Sequence, residues 1–177
     1  TNYVWHFGNG DSSTNANPVY SYPASGSYQV SLVAITAFGC TDTFTLPTNI
    51  TVNATPVAAF SPNVTSGCEP LTVNFTDQSA PLANPNYLWN FGNGQTSGLP
   101  NPSVTFASAG VYQVQLVVVN TGGCNDTVSH TITVLPSPVA IASASSYVGC
   151  SPLPVTFTNT STGATSYTWN FGDGGTS

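Results

Sequence analysis

The sequence predicts an all-β protein, a tandem of small sandwiches or barrels, and three observations carry that reading. One phrase recurs three times: Tyr3-Val-Trp5-His-Phe7-Gly-Asn-Gly10, Tyr87-Leu-Trp89-Asn-Phe91-Gly-Asn-Gly94 and Tyr167-Thr-Trp169-Asn-Phe171-Gly-Asp-Gly174. Each copy alternates aromatic with small or polar residues and then meets Gly-Asn-Gly or Gly-Asp-Gly, the pattern of a core strand running into a tight reversal. Between the copies, short apolar runs are separated by clusters of Pro, Gly, Asn and Ser, which is the spacing of many short strands. No stretch carries a 3.6-residue apolar period long enough for a helix.

Taken in order, residues 55–136 are expected to hold strands at 57–60, 71–77, 86–91, 103–106, 111–120 and 126–135. In 71–77 the two-residue period turns Val73 and Phe75 inward, and in 86–91 it turns Tyr87, Trp89 and Phe91 inward. The same alternation places Tyr112, Val114, Leu116 and Val118, then Val128, Ile132 and Val134, on the core face. The runs 57–60 and 103–106 are bounded by turn residues. The other copies supply matching pieces. Asn17-Pro-Val-Tyr-Ser-Tyr22 answers to Asn101-Pro-Ser-Val-Thr-Phe106, and Gly26-Ser-Tyr-Gln-Val-Ser-Leu-Val33 to Gly110-Val-Tyr-Gln-Val-Gln-Leu-Val117, as later strands of one unit. Gly67-Cys-Glu-Pro-Leu matches Gly149-Cys-Ser-Pro-Leu, and Gly39-Cys-Thr-Asp-Thr43 matches Gly123-Cys-Asn-Asp-Thr127. Trp5, Trp89 and Trp169 lie 84 and 80 positions apart, so the repeat is about 80 residues long.

This order of motifs resembles the PKD (polycystic kidney disease) repeat family, whose hallmark is Trp-x-Phe-Gly-Asp-Gly followed by Gly-x-Tyr-x-Val-x-Leu-x-Val. The chain departs from it at Asn9 and Asn93, where the family favours Asp, and at Ser21 and Thr105, where it favours His. The resemblance covers essentially the whole chain. It implies tandem immunoglobulin-like β-sandwiches of about seven strands, usually extracellular, used as spacers or as binding modules beside other domains. Trp5, Phe7, Trp89, Phe91, Trp169 and Phe171 are then expected as the core signature.

Alignment of the copies divides the chain into 1–54, the later part of one repeat, 55–136, a complete repeat, and 137–177, the opening part of a third. Pro56, Pro136 and Pro138 stand in the linkers, and proline restricts itself and its predecessor, so stiff joints are expected. A partial sandwich exposes a sheet face and unpaired edges. Something is expected to complete each end, and a window on a longer array is the preferred reading. Head-to-tail assembly of identical chains, with Cys150 bonded to Cys40, is the alternative. Against it, both ends carry a Trp strand and one sandwich has room for only one.

Composition narrows the function. Average usage would give a chain of this length roughly 44 charged residues, but it has six acids and no Lys or Arg. A basic footprint is therefore excluded, and with it nucleic-acid binding and attraction to anionic lipid. No apolar run is long enough for a membrane span. Disorder is set aside because apolar residues make up 40% of the chain and fall at strand period.

The complete repeat contains one cysteine of each type, Cys68 before a core strand and Cys124 in the turn before the last one. A Cys68–Cys124 disulfide is the expected pairing, closing a loop of about 57 residues for on the order of 4 kcal/mol in the chain-entropy model. Free buried thiols and a metal site are the alternatives, the latter without a Cys-x-x-Cys or adjacent His to support it. Cys40 and Cys150 are expected to find partners outside this chain or in a neighbouring copy. Such usage fits an oxidising, extracellular setting.

Catalytic chemistry finds little support. His6 alternates outward between Trp5 and Phe7, and His130 is expected as a partly buried structural side chain. No nucleophile elbow, zinc-binding His pair or phosphate-cradling loop occurs, so the protein is not expected to be an enzyme. No cofactor is expected; calcium is the one with a case, on the oxygen-rich loops Gly8-Asn-Gly-Asp11 and Gly172-Asp-Gly174, where an Asx-type turn is the simpler reading. Asn49, Asn53, Asn63, Asn74, Asn125 and Asn159 head Asn-x-Ser/Thr sequons, and Thr127 is a candidate for O-glycosylation. The functional expectation is an extracellular structural array, a surface stalk, adhesin shaft or filament, whose partners are neighbouring repeats or other copies of the chain. The alternative is an accessory module of a secreted hydrolase that presents exposed aromatics, with Tyr20, Tyr22 and Tyr147 the least securely placed, to polysaccharide or protein.

Overall fold

The computed structural model describes residues 2–80 and 85–177, and no helix occurs among them. Six strands precede the first joint: β1 (Asn2–His6), β2 (Ser12–Ser13), β3 (Gly26–Tyr28), β4 (Ser31–Ile35), β5 (Thr41–Thr45) and β6 (Ile50–Val52). The middle repeat contributes β7 (Phe60–Pro62), β8 (Ser66–Cys68), β9 (Leu71–Asp77), β10 (Asn86–Asn90), β11 (Thr96–Ser97), β12 (Ser103–Phe106), β13 (Gly110–Val119) and β14 (Asn125–Leu135). Two short strands follow, β15 (Ala142–Ala144) and β16 (Phe157–Asn159). The fold is all-β, as the alternating pattern requires.

The contacts group into two compact units, and their boundary passes through the middle repeat. One comprises Thr1–Ala59, Gln78–Leu88 and Leu116–Val128; the other comprises Phe60–Asp77, Trp89–Gln115 and Ser129–Ser177. In the first, β1 lies between β2 and β4, with Trp5 opposite Ser13 and Leu32, and β5 continues the sheet beyond β4. Pro47 interrupts what is one continuous strand, β14, in the middle repeat. A proline offers no amide to a ladder, and the chain leaves β4 after Thr45 and pairs again only as β6, now with β3.

In the second unit β9 is flanked by β7 and β12, and β8 runs parallel to the end of β14. The aromatic core is assembled here. Phe75 of β9 lies 5.5 Å from Trp89 and 5.5 Å from Phe91, and Phe60 closes on Trp89 at 4.9 Å. Trp89 is 2% exposed and its indole N–H donates to the Leu99 carbonyl at 2.8 Å, so the one polar atom brought inside is satisfied. Val73, Phe75, Phe91, Phe106, Val114 and Ile132 are buried with it, each contributing about 1.5–3 kcal/mol by transfer from water. Leu116, Val118 and Val134 are buried as the alternation expects, whereas Tyr87, Tyr112 and Val128 are half-buried.

Gly92 sits at φ +73°, and a Cβ there would lie 2.9 Å from the Gln113 carbonyl oxygen. At Gly8, as at Gly92, glycine is required for two reasons at once, a left-handed backbone and a touching neighbour strand, whereas Gly172 shares only the left-handed backbone.

Several expectations are corrected. The strand placed at 57–60 begins only at Phe60, with Val57 joined to Ala80 by a single bridge. Strands β8 and β11 carry no signal in the sequence pattern, since Ser66-Gly67-Cys68 and Thr96-Ser97 have no apolar alternation. Residues 17–22 form no strand. Their counterpart β12 exists because it pairs with β9, Val104 opposite Val73, and residues 2–54 offer no equivalent of β9. The tyrosines of this segment stack in a row instead, Phe7 on Tyr20 at 4.0 Å and Tyr22 on Tyr28 at 4.4 Å. Of the six core-signature residues, Phe7, Trp89 and Phe91 are buried, Trp5 and Trp169 are half-buried, and Phe171 is 45% exposed. The third copy keeps the aromatic triangle, with Phe157 5.6 Å from Trp169 and 5.4 Å from Phe171. Residues 137–177 hold no counterpart of β13 and β14, however, and Phe171 is left part-exposed.

Candidate functional site at the joints between repeats

Linkers between small sandwiches have few side chains with which to fix themselves, so the bonds of their backbone groups are the informative ones. At the first joint the fixing groups come from the middle repeat. Asn120, at the turn after β13, is 8% exposed. Its Oδ1 accepts from the Gly122 and Cys124 amides at 3.0 and 3.1 Å, which shapes the turn, and its Nδ2 donates to the Ala54 carbonyl at 2.6 Å. Thr36 holds the same place in the first repeat and its hydroxyl accepts from the Cys40 amide at 3.1 Å. The threonine hydroxyl shapes the turn with a single oxygen, whereas the asparagine amide adds a separate nitrogen that donates to the linker.

Asp126, one residue into β14, accepts the Ala58 amide at 2.8 Å. That bond, followed by one from the Thr127 amide, holds its carboxyl below the usual range against the opposing effect of desolvation. Two polar side chains thus grip the linker four residues apart, at Ala54 and Ala58.

Glu69 organises the second joint. Its backbone amide donates to the Leu135 carbonyl at 2.9 Å, and its own carbonyl accepts the Ser137 hydroxyl at 2.6 Å. The carboxylate takes the Ser137 amide at 3.4 Å through one oxygen and the Ala109 amide through the other. A single acid therefore ties together the β8–β9 turn, the loop before β13 and the linker. The third repeat has Ser151 in this place.

The cysteines require a correction. All four are free thiols. Cys124 immediately precedes β14 and Cys68 pairs with Leu135, its last residue. An eleven-residue strand at about 3.3 Å per residue separates them by roughly 35 Å, far beyond the Cα separation of about 4.4–6.8 Å that a disulfide permits. The expected Cys68–Cys124 bond cannot form within the repeat. Cys40, Cys68 and Cys150 are exposed, and Cys124 is half-buried with its Sγ 3.9 Å from the Asn53 carbonyl.

Other candidates fall into place individually. Asn49, Asn53, Asn63, Asn74, Asn125 and Asn159 are all exposed, as is Thr127. His130 is exposed rather than partly buried, its ring edge-on to Phe60 at 4.6 Å, and His6 faces outward opposite Ser31. In the calcium-candidate loops, Asn9 Oδ1 accepts the Asp11 amide at 3.2 Å and Asp173 Oδ1 accepts the Gly175 amide at 2.8 Å, which are Asx turns. Tyr20 and Asn9 both donate to Asp11 Oδ2, and the Tyr20 bond is the larger cause of a lowered Asp11 pKa. No group of three or more His, Cys, Asp or Glu converges among the described residues. Tyr147 is 86% exposed, and an open cleft of about 400 Å³ in the third repeat is lined by Pro138, Ile141, Ala142, Asn159, Tyr167 and Trp169.

Sequence reasoning passed over Asn120, Asp126 and Glu69. Asn120 carried a usable signal, an amide where the first repeat has Thr36, but nothing in the pattern says that a linker lies opposite it.

A family model for the PKD domain matches residues 1–52 and 53–134. The pre-pro-metalloprotease PrtV of Vibrio cholerae serotype O1 is 30% identical over 128 residues, which is 72% of this chain and 14% of the protease. The chain thus spans about one seventh of the length of that relative. Among solved structures, the PKD1 domain of Vibrio anguillarum Epp is 32% identical, covering 49% of this chain and all of that one with a TM-score of 0.42. The PKD1 domain of Vibrio cholerae PrtV is 38% identical, covering 46% and 98% with a TM-score of 0.40.

Proposed function

The chain belongs to the PKD domain family, and on that premise we propose that it is a non-catalytic spacer, a length of an extracellular tandem array such as the shaft of a surface stalk, adhesin or filament. The observation that carries this reading is the investment of polar side chains in the linkers. Asn120, Asp126 and Glu69 spend their hydrogen-bonding capacity on the joints, where a catalytic site would aim such groups at a substrate. An exposed surface of Ser, Thr and Asn that bears all six sequons and no basic residue supports an extracellular placement.

A second reading, an accessory binding module, draws on the cleft lined by Tyr167 and Trp169 and on the row of tyrosines at Tyr20 and Tyr22. Both features lie in the partial repeats, where Tyr20, Tyr22 and Trp169, equivalent to the buried Val104, Phe106 and Trp89 of the middle repeat, are only half-buried. This favours the spacer.

Backbone relaxation measurements on the full chain test the proposal. Residues 53–58 and 135–138 should show order parameters near those of the strands, about 0.85, and Asn120→Ala should lower them at 53–58 and in its own turn at 120–124 but not at 135–138. Linker values below about 0.6 in the unaltered chain would overturn it, and retention of the chain on insoluble polysaccharide would favour the binding module.

A further inference from the structure

Cys68 and Cys124 lie too far apart to pair within the repeat, and each lies beside a linker. Cys68 is the register partner of Leu135, the residue at which β14 ends and the second linker begins, so the two backbones lie one strand spacing apart, about 5 Å. The segment Ile132-Thr-Val-Leu135-Pro-Ser-Pro-Val139 aligns without a gap on Ile50-Thr-Val-Asn53-Ala-Thr-Pro-Val57. Asn53 is therefore the first repeat's counterpart of Leu135. Beside Asn53 sits the other type of cysteine: Cys124 Sγ is 3.9 Å from its carbonyl oxygen. A Cβ placed on the nearby Gly122 would lie 2.7 Å from the Asn53 Cβ, which shows how closely this loop abuts the linker. Equivalent linker positions are thus neighboured by both types: the β8-type cysteine of the repeat that ends there at the second joint, and the loop cysteine of the repeat that begins there at the first.

We propose that successive repeats are stapled across each joint by a disulfide from the β8-type cysteine of one repeat to the β13–β14 loop cysteine of the next. In an array continuing on the same period, Cys68 and Cys150 bond loop cysteines of the repeats that follow them, and Cys40 and Cys124 bond β8-type cysteines of the repeats that precede their own. No two of the four belong to one joint, in keeping with four free thiols. Each bond joins two sulfurs as two thiols give up two protons and two electrons to a small disulfide such as oxidised glutathione, which is reduced to its own pair of thiols. The proposal rests on the tandem-array reading and adds a covalent link to joints otherwise held by hydrogen bonds.

The test extends the full chain after Ser177, the counterpart of Ser97, with a second copy of residues 98–136, and carries Cys124→Ser in the original copy. Oxidised with a glutathione couple, alkylated and digested with chymotrypsin, this chain should fall from four alkylatable thiols to two and yield a cross-linked peptide joining Cys68 to the added loop cysteine. Full alkylation of Cys68, or a bond from Cys68 to Cys150, would overturn the proposal. A companion variant of the unextended chain, Asn53→Cys, keeps the test decisive if the extension does not fold: the new thiol should bond Cys124, and failure to do so would show that the loop thiol does not reach the joint. Linker order is measured in the reduced chain, so the spacer reading can fail while the staple forms, and the staple can fail while the linkers remain ordered.

Discussion

Asp126 shows how one carboxylate can connect protonation to the state of a joint. Its main interaction is the charge-assisted bond from the Ala58 amide, which is stronger when the acid is ionised and lowers its folded pKa below the ordinary value of 3.8. A group whose folded pKa is lowered stabilises the folded state fully above the unfolded pKa, and that contribution disappears as pH falls through the folded value. Asp126→Asn should therefore reduce the thermal midpoint at pH 6, and the difference from the unaltered chain should shrink toward zero by about pH 2. A midpoint difference that stays constant across this range would assign Asp126 a role independent of its charge. Asn120 and Glu69 act on the same principle of one side chain serving two segments.

At the scale of elements, identical sequence logic gives different outcomes according to the partners available. Residues 103–106 form β12 because β9 lies alongside, Phe106 opposite Leu71; residues 17–22, matched to them in sequence, remain irregular because no such strand accompanies them. A strand is a pairing rather than a local conformation, since its stability resides in the ladder and the cross-strand side chains. Hydrogen exchange should register the contrast directly: amides of β12 that bond to β9 should be protected, while those of residues 19–22 should exchange orders of magnitude faster. Equal protection of the two segments would contradict the assignment. The same reasoning covers β14 and its first-repeat counterpart, where Pro47 divides one ladder into β5 and β6, each with its own partner.

For the whole molecule, the governing fact is that all formal charge at neutral pH has one sign, a net −6 from six acids. No Lys or Arg exists to form an attractive pair, so added salt can screen only repulsion. Raising sodium chloride from about 0.02 to 0.5 M at pH 7 should leave the melting midpoint unchanged or slightly higher. A clear fall would reveal an attractive ionic term that the sequence does not contain. Cohesion depends on burial around Phe75, Trp89 and Phe91 and on neutral or singly charged hydrogen bonds, and both persist at high ionic strength.

The amino-acid sequence by itself determined the all-β class, the repeat, the inward residues of the middle copy and the absence of basic chemistry. These follow from period, spacing and composition, which are properties of the chain in one dimension. Tertiary structure decided the rest. It placed Cys68 and Cys124 at opposite ends of β14, a fact that their position in the repeat could not convey because a strand's length becomes a distance only once its register is set. It showed that Trp169 and Phe171 keep the geometry of a core without its full burial. It also turned Asn120, an unremarked polar residue, toward the linker. Burial and reach belong to pairs of segments, and which segments meet is settled only when the sheets close.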